Sequence, residues 1–199
     1  MCESEVEEMK KYQEVEVKYE LFNKDIVNNN LESLHLEHTV IDERQKDTYY
    51  MPCHRNFLEH EIVSEWLRIR ETDSKCSINF KQWLPIGVKI QNQCNEYETI
   101  LSDPEAMHQI LKKLDFREIV IVEKKRNSWI WEQVEISIDE VSGLGSFIEL
   151  EAMEKIKENE IIRQQKKFEE IIKELQADVG PRDRRGYPYQ LLDRKGALQ

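Results

Sequence analysis

Long apolar runs are missing from this chain. No stretch approaches the roughly 20 residues that a membrane-spanning helix requires. The opening MCESEVEEMKKYQ has neither the basic region nor the apolar segment of a secretory signal. Positive charge is also scarce: 29 Lys and Arg stand against 40 Asp and Glu, a formal charge of −11. That field opposes non-specific attachment to nucleic acid or to an anionic membrane, and neither is expected as a partner. Cysteine is sparse and scattered, at Cys2, Cys53, Cys76 and Cys94, with no Cys-x-x-Cys pair. This speaks against a zinc site and a disulfide framework, and points to reduced thiols in a cytoplasmic protein. His35, His38, His54, His60 and His108 show no metal-ligand spacing. Neither a P-loop nor a Gly-x-Ser-x-Gly elbow occurs. No repeat or linker divides the 199 residues, so a single domain is expected, with its body over about 13–176 and a basic, turn-rich tail over 177–199.

What the chain does contain is alternation. Glu14-Val15-Glu16-Val17-Lys18 alternates charge with valine. A strand points successive side chains to opposite faces, so Glu14, Glu16 and Lys18 share one face and the valines the other. The pattern recurs. Arg68-Ile69-Arg70 places two guanidinium groups on one face, Glu96 and Glu98 pair two carboxylates, and Lys124 pairs with Arg126. Glu135-Ile136-Ser137-Ile138-Asp139 and Glu149-Leu150-Glu151 follow the same rule, and Lys81 stands in the strand INFKQW. An antiparallel sheet with one wet face also alternates, and any single pair fits that reading. Taken together the pairs say more. Like charges two apart on one face repel unless a counter-charge or ligand lies among them. If the sheet curls with its charged faces inward, acidic and basic pairs meet across a lumen. Such a lumen suits a chain of phosphates on the cations and a hard divalent cation on the carboxylates.

The remaining elements follow from local signals. Short helices are predicted over Asp25 to Leu36 and from Ser102-Asp103-Pro104-Glu105 to about Leu114, and a long one over Ala152 to about Gln176 with an apolar stripe from Ile161 to Leu175. Strands are predicted over Gln13 to Leu21, His38 to Met51, Glu65 to Glu71, Ser77 to Trp83, Val88 to Leu101 and Ser146 to Glu151. Two more, Phe116 to Lys125 and Ser128 to Asp139, are expected to meet at a tight turn at Arg126-Asn127. Trp66, Trp83, Trp129 and Trp131 read as packing residues.

These residues carry a resemblance. EVEVK resembles the Glu-x-Glu-x-Lys signature of the CYTH superfamily, the triphosphate tunnel enzymes, which includes class IV adenylyl cyclases and thiamine triphosphatases. QKDTYY is similar to its Gln-x-Asp-x-Tyr segment, WLRIR to its Arg-x-Arg strand, INFKQW to its lysine strand and VEKKR to its Lys-x-Arg strand. DEVSGLGSFIELE resembles its Asp-x-Val-x-Gly-Leu-Gly-x-Phe-x-Glu-x-Glu segment, and together with the tail GYPYQLL it looks most like the class IV cyclase branch. Where the family often has glycine, Gln82 and Trp83 follow Lys81, and Asp115 precedes Phe116.

The resemblance implies an α+β fold: an antiparallel eight-stranded β-barrel or tunnel with flanking helices. It implies that Lys18, Arg68, Arg70, Lys81, Lys124 and Arg126 bind triphosphate, and that Glu14, Glu16, Glu98, Asp139, Glu149 and Glu151 face a metal, Mg²⁺ or Mn²⁺. Glu14, Glu16, Lys18, Arg68 and Arg70 are the expected catalytic set. The expected reaction is conversion of ATP to cyclic AMP and pyrophosphate. Hydrolysis of thiamine triphosphate, tripolyphosphate or a nucleoside triphosphate uses the same groups, and a non-catalytic nucleotide or polyphosphate binder would need only the charged lumen. A homodimer is expected from the same resemblance.

Overall fold

The computed structural model of the chain describes residues 12–88 and 93–198. The strands, in chain order, are β1 Tyr12–Gln13, β2 Glu16–Leu21, β3 Glu37–Pro52, β4 Glu65–Thr72, β5 Cys76–Leu84, β6 Gln93–Ile100, β7 Phe116–Trp131, β8 Val134–Val141, β9 Gly145–Ala152, β10 Ile156–Lys157 and β11 Val179–Arg182. The helices are α1 Lys24–Ser33, α2 Pro104–Lys113, α3 Ile161–Glu174 and α4 Gly186–Arg194. One large sheet of nine strands has the order β11-β2-β9-β8-β7-β3-β4-β5-β6, and β1 pairs separately with β10. The α+β class with a large antiparallel sheet and packed helices is as the sequence implies. The strand count is nine rather than eight, because the tail contributes β11 beside β2, and the order has β11 and β6 as edge strands among the described residues.

The chain groups into two compact units. Among the described residues, the first draws on residues 12–42, Arg126–Glu140 and Gly145–Arg184. Its core joins Val15, Val17 and Leu21 to Ile136, Ile138, Ile148 and Leu150 from the sheet, and to Val27 and Leu31 of α1 and Phe168, Ile171 and Leu175 near α3. The second unit draws on residues 43–88, 93–125, 141–144 and 185–198. Its core holds Tyr50, Met51, Leu67 and Ile69 from β3 and β4 with Leu111 of α2. In both, the apolar members of the alternating strands are buried, which fixes register: a slip of one residue would bury the charged face instead.

Two local expectations are corrected. Arg126-Asn127 is no turn but the middle of the continuous β7. The asparagine amide is engaged with the neighbouring strand, accepting from Asp42 N at 2.9 Å and donating to Asp42 Oδ1 at 3.2 Å. The backbone irregularity falls on Asp42 instead, at φ 53°. The reversal comes after Trp131, with Glu132 at φ 55°. The long helix begins at Ile161, not Ala152: Ala152 N is held by Val15 O at 3.0 Å and Met153 N by Gln133 O at 3.0 Å, so strand pairing takes the donors a helix would leave free. The tail is ordered, as β11 and α4. Asp115 sits at φ 60° just beyond α2, the left-handed position where a helix ends and glycine is favoured. The predicted strand from Val88 runs through residues 89–92, which lie outside the described residues; its described part is β6.

The start of α2 matches its sequence signal. Asp103 accepts a hydrogen bond from Ala106 N at 2.9 Å, with Pro104 in the first turn. Asp103→Ala is expected to cost about 1 kcal/mol, measurable as a lower urea midpoint with an unchanged slope.

Candidate active site

The first unit builds its polar cluster on β2 and β9. These strands pair antiparallel with Glu16 opposite Glu151 and Lys18 opposite Glu149. Their alternate residues, Val17, Ile148 and Leu150, enter the core, which turns the charged set to the other face. Lys18 Nζ lies 2.7 Å from Glu149 Oε2, with the two side chains 17% and 11% exposed. A solvated sheet face would leave such groups open; these are largely withdrawn from water. Burial disfavours the Lys18 ammonium, yet Glu149 and Glu16 more than offset it and hold its pKa above the usual lysine range.

One carboxylate oxygen from each of Glu16, Glu149 and Glu151 lies within 4.8 Å of the others. Glu16 and Glu151 stand directly across from each other, an arrangement that repels without a cation. Three convergent carboxylates are the donor set that a hard divalent cation takes. On β7, Arg126 binds Asp139 of β8 with both edges, Nε to Oδ1 and Nη2 to Oδ2 at 2.7 Å each, and Nη2 also reaches Glu149 Oε1 at 3.4 Å. Asp139 is fully buried, so its carboxylate orients Arg126 and stands outside the trio. Glu14 is exposed, just ahead of β2, and is not one of the trio either. The tail adds what the sequence reading missed. Arg182 Nη2 donates to Glu16 O at 2.7 Å, and Asp183 N donates to Lys18 O at 2.8 Å, so β11 fixes the backbone that carries both charges.

The second unit builds its cluster on β3, β4 and β5. Asp47 is opposite Arg70, Tyr49 opposite Arg68, Asn79 opposite Arg68 and Lys81 opposite Trp66. Asp47 accepts from Arg70 Nε and Nη2 at 2.6 Å each and from Arg68 Nη1 at 3.3 Å. Burial raises the Asp47 pKa, but Arg70, Arg68 and Lys124 outweigh it and hold the carboxyl below the usual aspartate range. Arg68 is held protonated well above its ordinary range: burial opposes this, and Tyr49 and Asp47 override it.

Lys81 Nζ pairs with Glu96 Oε2 at 3.3 Å, and Asn79 Nδ2 donates to Glu96 Oε1 at 2.8 Å. Burial raises the Glu96 pKa, and Lys81 and Asn79 more than reverse it. Glu98 is exposed on β6 opposite Asn79. Lys124 is buried, its Nζ 5.4 Å from the centre of the Tyr187 ring of α4. Arg194 of α4 in turn donates to Gly143 O. At the departures after Lys81, Gln82 Nε2 donates to Glu65 Oε1 at 2.9 Å and the Trp83 ring lies 5.6 Å from Lys81 Nζ.

The depressed Asp47 pKa gives a pH prediction. A carboxylate stabilised in the folded state contributes in full above its unfolded pKa of about 3.9, and that contribution is lost as pH falls through the lower folded value. Thermal melts taken from roughly pH 5 downward are expected to show a flatter acid limb for Asp47→Asn than for the wild type.

The chain belongs to the CYTH domain family, whose model matches residues 12–187. A Methanocaldococcus jannaschii protein named "Putative adenylate cyclase" is 37% identical over 138 residues, spanning 69% of this chain and 75% of that protein. A Pyrococcus horikoshii protein of known structure is 29% identical, with a TM-score of 0.73 over 91% of this chain and 99% of its own. A Hippeastrum protein called a "putative adenylyl cyclase", with a dominant triphosphatase activity, shares the fold at 18% identity and a TM-score of 0.60, covering 92% of this chain and 96% of that one. No helix among the described residues is long and apolar enough to cross a membrane.

Proposed function

We propose that the chain is a metal-dependent adenylyl cyclase that converts ATP to cyclic AMP and pyrophosphate. The observation that carries this is the β2–β9 cluster: three convergent carboxylates, one of them ion-paired to a half-buried lysine, on the non-core face of paired strands. In this reading Glu16, Glu149 and Glu151 hold the cation, Mg²⁺ or Mn²⁺. Lys18 and Arg126 in the first unit and Arg68, Arg70, Lys81 and Lys124 in the second bind phosphate oxygens. The domain is taken as single, cytoplasmic and homodimeric.

The ribose 3′-hydroxyl gives its proton to solvent as its oxygen attacks the α-phosphorus in line, and the bond from the α-phosphorus to the α–β bridging oxygen breaks to release pyrophosphate. A bound divalent cation supplies a lower pKa for the attacking hydroxyl and charge neutralisation at the phosphates. The arginines and lysines stabilise the negative charge that grows on the leaving pyrophosphate, with arginine giving bidentate contacts. They also fix the nucleotide so that attack is intramolecular in a preset geometry. Cyclisation is favoured over hydrolysis by the DEVSGLGSFIELE and GYPYQLL segments and by the 37% identical relative with a cyclase name. The Hippeastrum neighbour supports a second reading, triphosphate hydrolysis by the same groups.

Parallel assays of ATP, tripolyphosphate and thiamine triphosphate for released pyrophosphate and phosphate separate the two. The cyclase reading expects pyrophosphate from ATP and no phosphate from the others. Phosphate from tripolyphosphate or thiamine triphosphate, with no pyrophosphate from ATP, supports the hydrolase. Binding without turnover of any kind supports the non-catalytic binder.

A further inference from the structure

We propose that Asp47 is a positioning residue of the phosphate site, lying against Arg68 and Arg70 and fixing which edges of their guanidinium groups are offered to a triphosphate. This rests on the functional reading above.

The strand register places the groups. Asp47 is opposite Arg70 on β4, and Arg70 is opposite Ser77 on β5. Arg68 is opposite Tyr49 on one side and Asn79 on the other. Side chains directly across from each other share a sheet face, so Asp47, Tyr49, Arg68, Arg70, Ser77 and Asn79 lie on one face of three adjacent strands. Asp47 is 2% exposed and cannot be solvated there. Its two oxygens take the Nε–Nη2 edge of Arg70 at 2.6 Å each, a fork that holds the guanidinium plane in one orientation. Oδ2 reaches only Nη1 of Arg68, at 3.3 Å.

That asymmetry leaves donors unspent. Arginine carries five N–H groups. Arg68 Nε is buried with no hydrogen-bond partner, and so is Ser77 Oγ on a residue 1% exposed. Buried donors are seldom left unsatisfied in a native protein, because each costs about 1–3 kcal/mol. Two of them lie on the face that carries the arginines, so Asp47 holds Arg68 by one edge only and its carboxylate sets how that guanidinium sits. Asp47 thus does for Arg68 and Arg70 what Asp139 does for Arg126, a role that the sequence motifs leave unassigned.

Charge and geometry make opposite demands on a substitution here. Asp47 is a negative group among Arg68, Arg70 and Lys124. If it acted only through charge, removing it would strengthen attraction for a polyanion. If it positions the guanidinium groups, removing it weakens binding although the site becomes more positive.

The test titrates tripolyphosphate in Mg²⁺ buffer into the full-length protein by calorimetry, for wild type, Asp47→Asn and Asp47→Glu, with thermal melts of each. The expected result is at least tenfold weaker binding by Asp47→Asn. Asp47→Glu, which keeps the charge but moves the carboxylate, is expected to melt closer to wild type and still bind several-fold more weakly, with ATP turnover showing a raised KM. Equal or tighter binding by a folded Asp47→Asn overturns the proposal. Should Asp47→Asn not fold, wild-type affinity in Asp47→Glu overturns it. Wild-type protein that binds neither tripolyphosphate nor ATP overturns the functional reading as well, whereas wild-type binding with unaffected variants overturns the positioning role alone.

Discussion

Glu16→Gln is expected to lower ATP turnover by about two orders of magnitude or more while leaving the fold intact. Metal stabilisation of developing charge is worth several kcal/mol, and each 1.4 kcal/mol is about tenfold in rate. Glu16 supplies one of the three carboxylates that converge within 4.8 Å. Glutamine keeps the shape and removes the charge. It also relieves repulsion with Glu151 directly opposite, so the metal-free variant is expected to melt no more than a few degrees from wild type. A second readout does not depend on turnover. A ligand that binds only the folded state at 100 times its Kd adds about 2.7 kcal/mol of stability. Mn²⁺ is therefore expected to raise the melting temperature of the wild type and to raise that of Glu16→Gln far less. Full turnover in the variant, or an equal Mn²⁺ shift, would remove Glu16 from the metal set.

Arg126→Ala is expected to destabilise the protein by about 3–5 kcal/mol, the cost of removing one member of a buried ion pair. Asp139 has no exposed side-chain surface, and both its oxygens are bound by Arg126 at 2.7 Å. For a chain of this size the loss corresponds to a melting temperature lower by roughly 6–20 °C. The contrast is the pair of Lys46 and Glu71, 46% and 32% exposed. Breaking that one is expected to cost less than about 1 kcal/mol. Similar melting temperatures for the two variants would show that the buried pair does not carry the stability assigned to it. A double variant, Arg126→Ala with Asp139→Leu, is expected to recover much of the loss, because it also removes the stranded charge.

Alternation made most of the fold legible. Val15 and Val17, Ile136 and Ile138, and Ile148 and Leu150 are all buried, as a period of two requires. What alternation cannot report is which donors the neighbouring strand takes. For this reason Arg126-Asn127 reads as a turn in sequence, while Asn127 in fact bonds across to Asp42. The same limit hid the start of α3, because Ala152 and Met153 are held by long-range backbone bonds that no local propensity encodes.

In the site, residue type and spacing singled out Glu16, Lys18, Glu149 and Glu151, and the structure brings these together. They could not tell the carboxylate that Arg126 grips with both edges, Asp139, from those that converge as a trio. Asp139 and Glu149 look alike in sequence, yet Arg126 binds Asp139 with two bonds of 2.7 Å and reaches Glu149 with one of 3.4 Å. Tyr187 beside Lys124, and Arg182 on the Glu16 carbonyl, come from a basic, turn-rich tail whose composition fits an ordered flap as well as a loose end. The signal that could have found them is GYPYQLL: two tyrosines and two leucines are more apolar than a free end needs, and Tyr187, Leu191 and Leu192 are indeed buried.

The most direct test of the central claim is product analysis of ATP incubated with the purified protein and Mn²⁺ or Mg²⁺, by chromatography and mass. A triphosphate site that directs the ribose 3′-oxygen at the α-phosphorus predicts cyclic AMP and pyrophosphate in equal amounts, abolished by chelation of the metal. ADP and phosphate without cyclic AMP would contradict it.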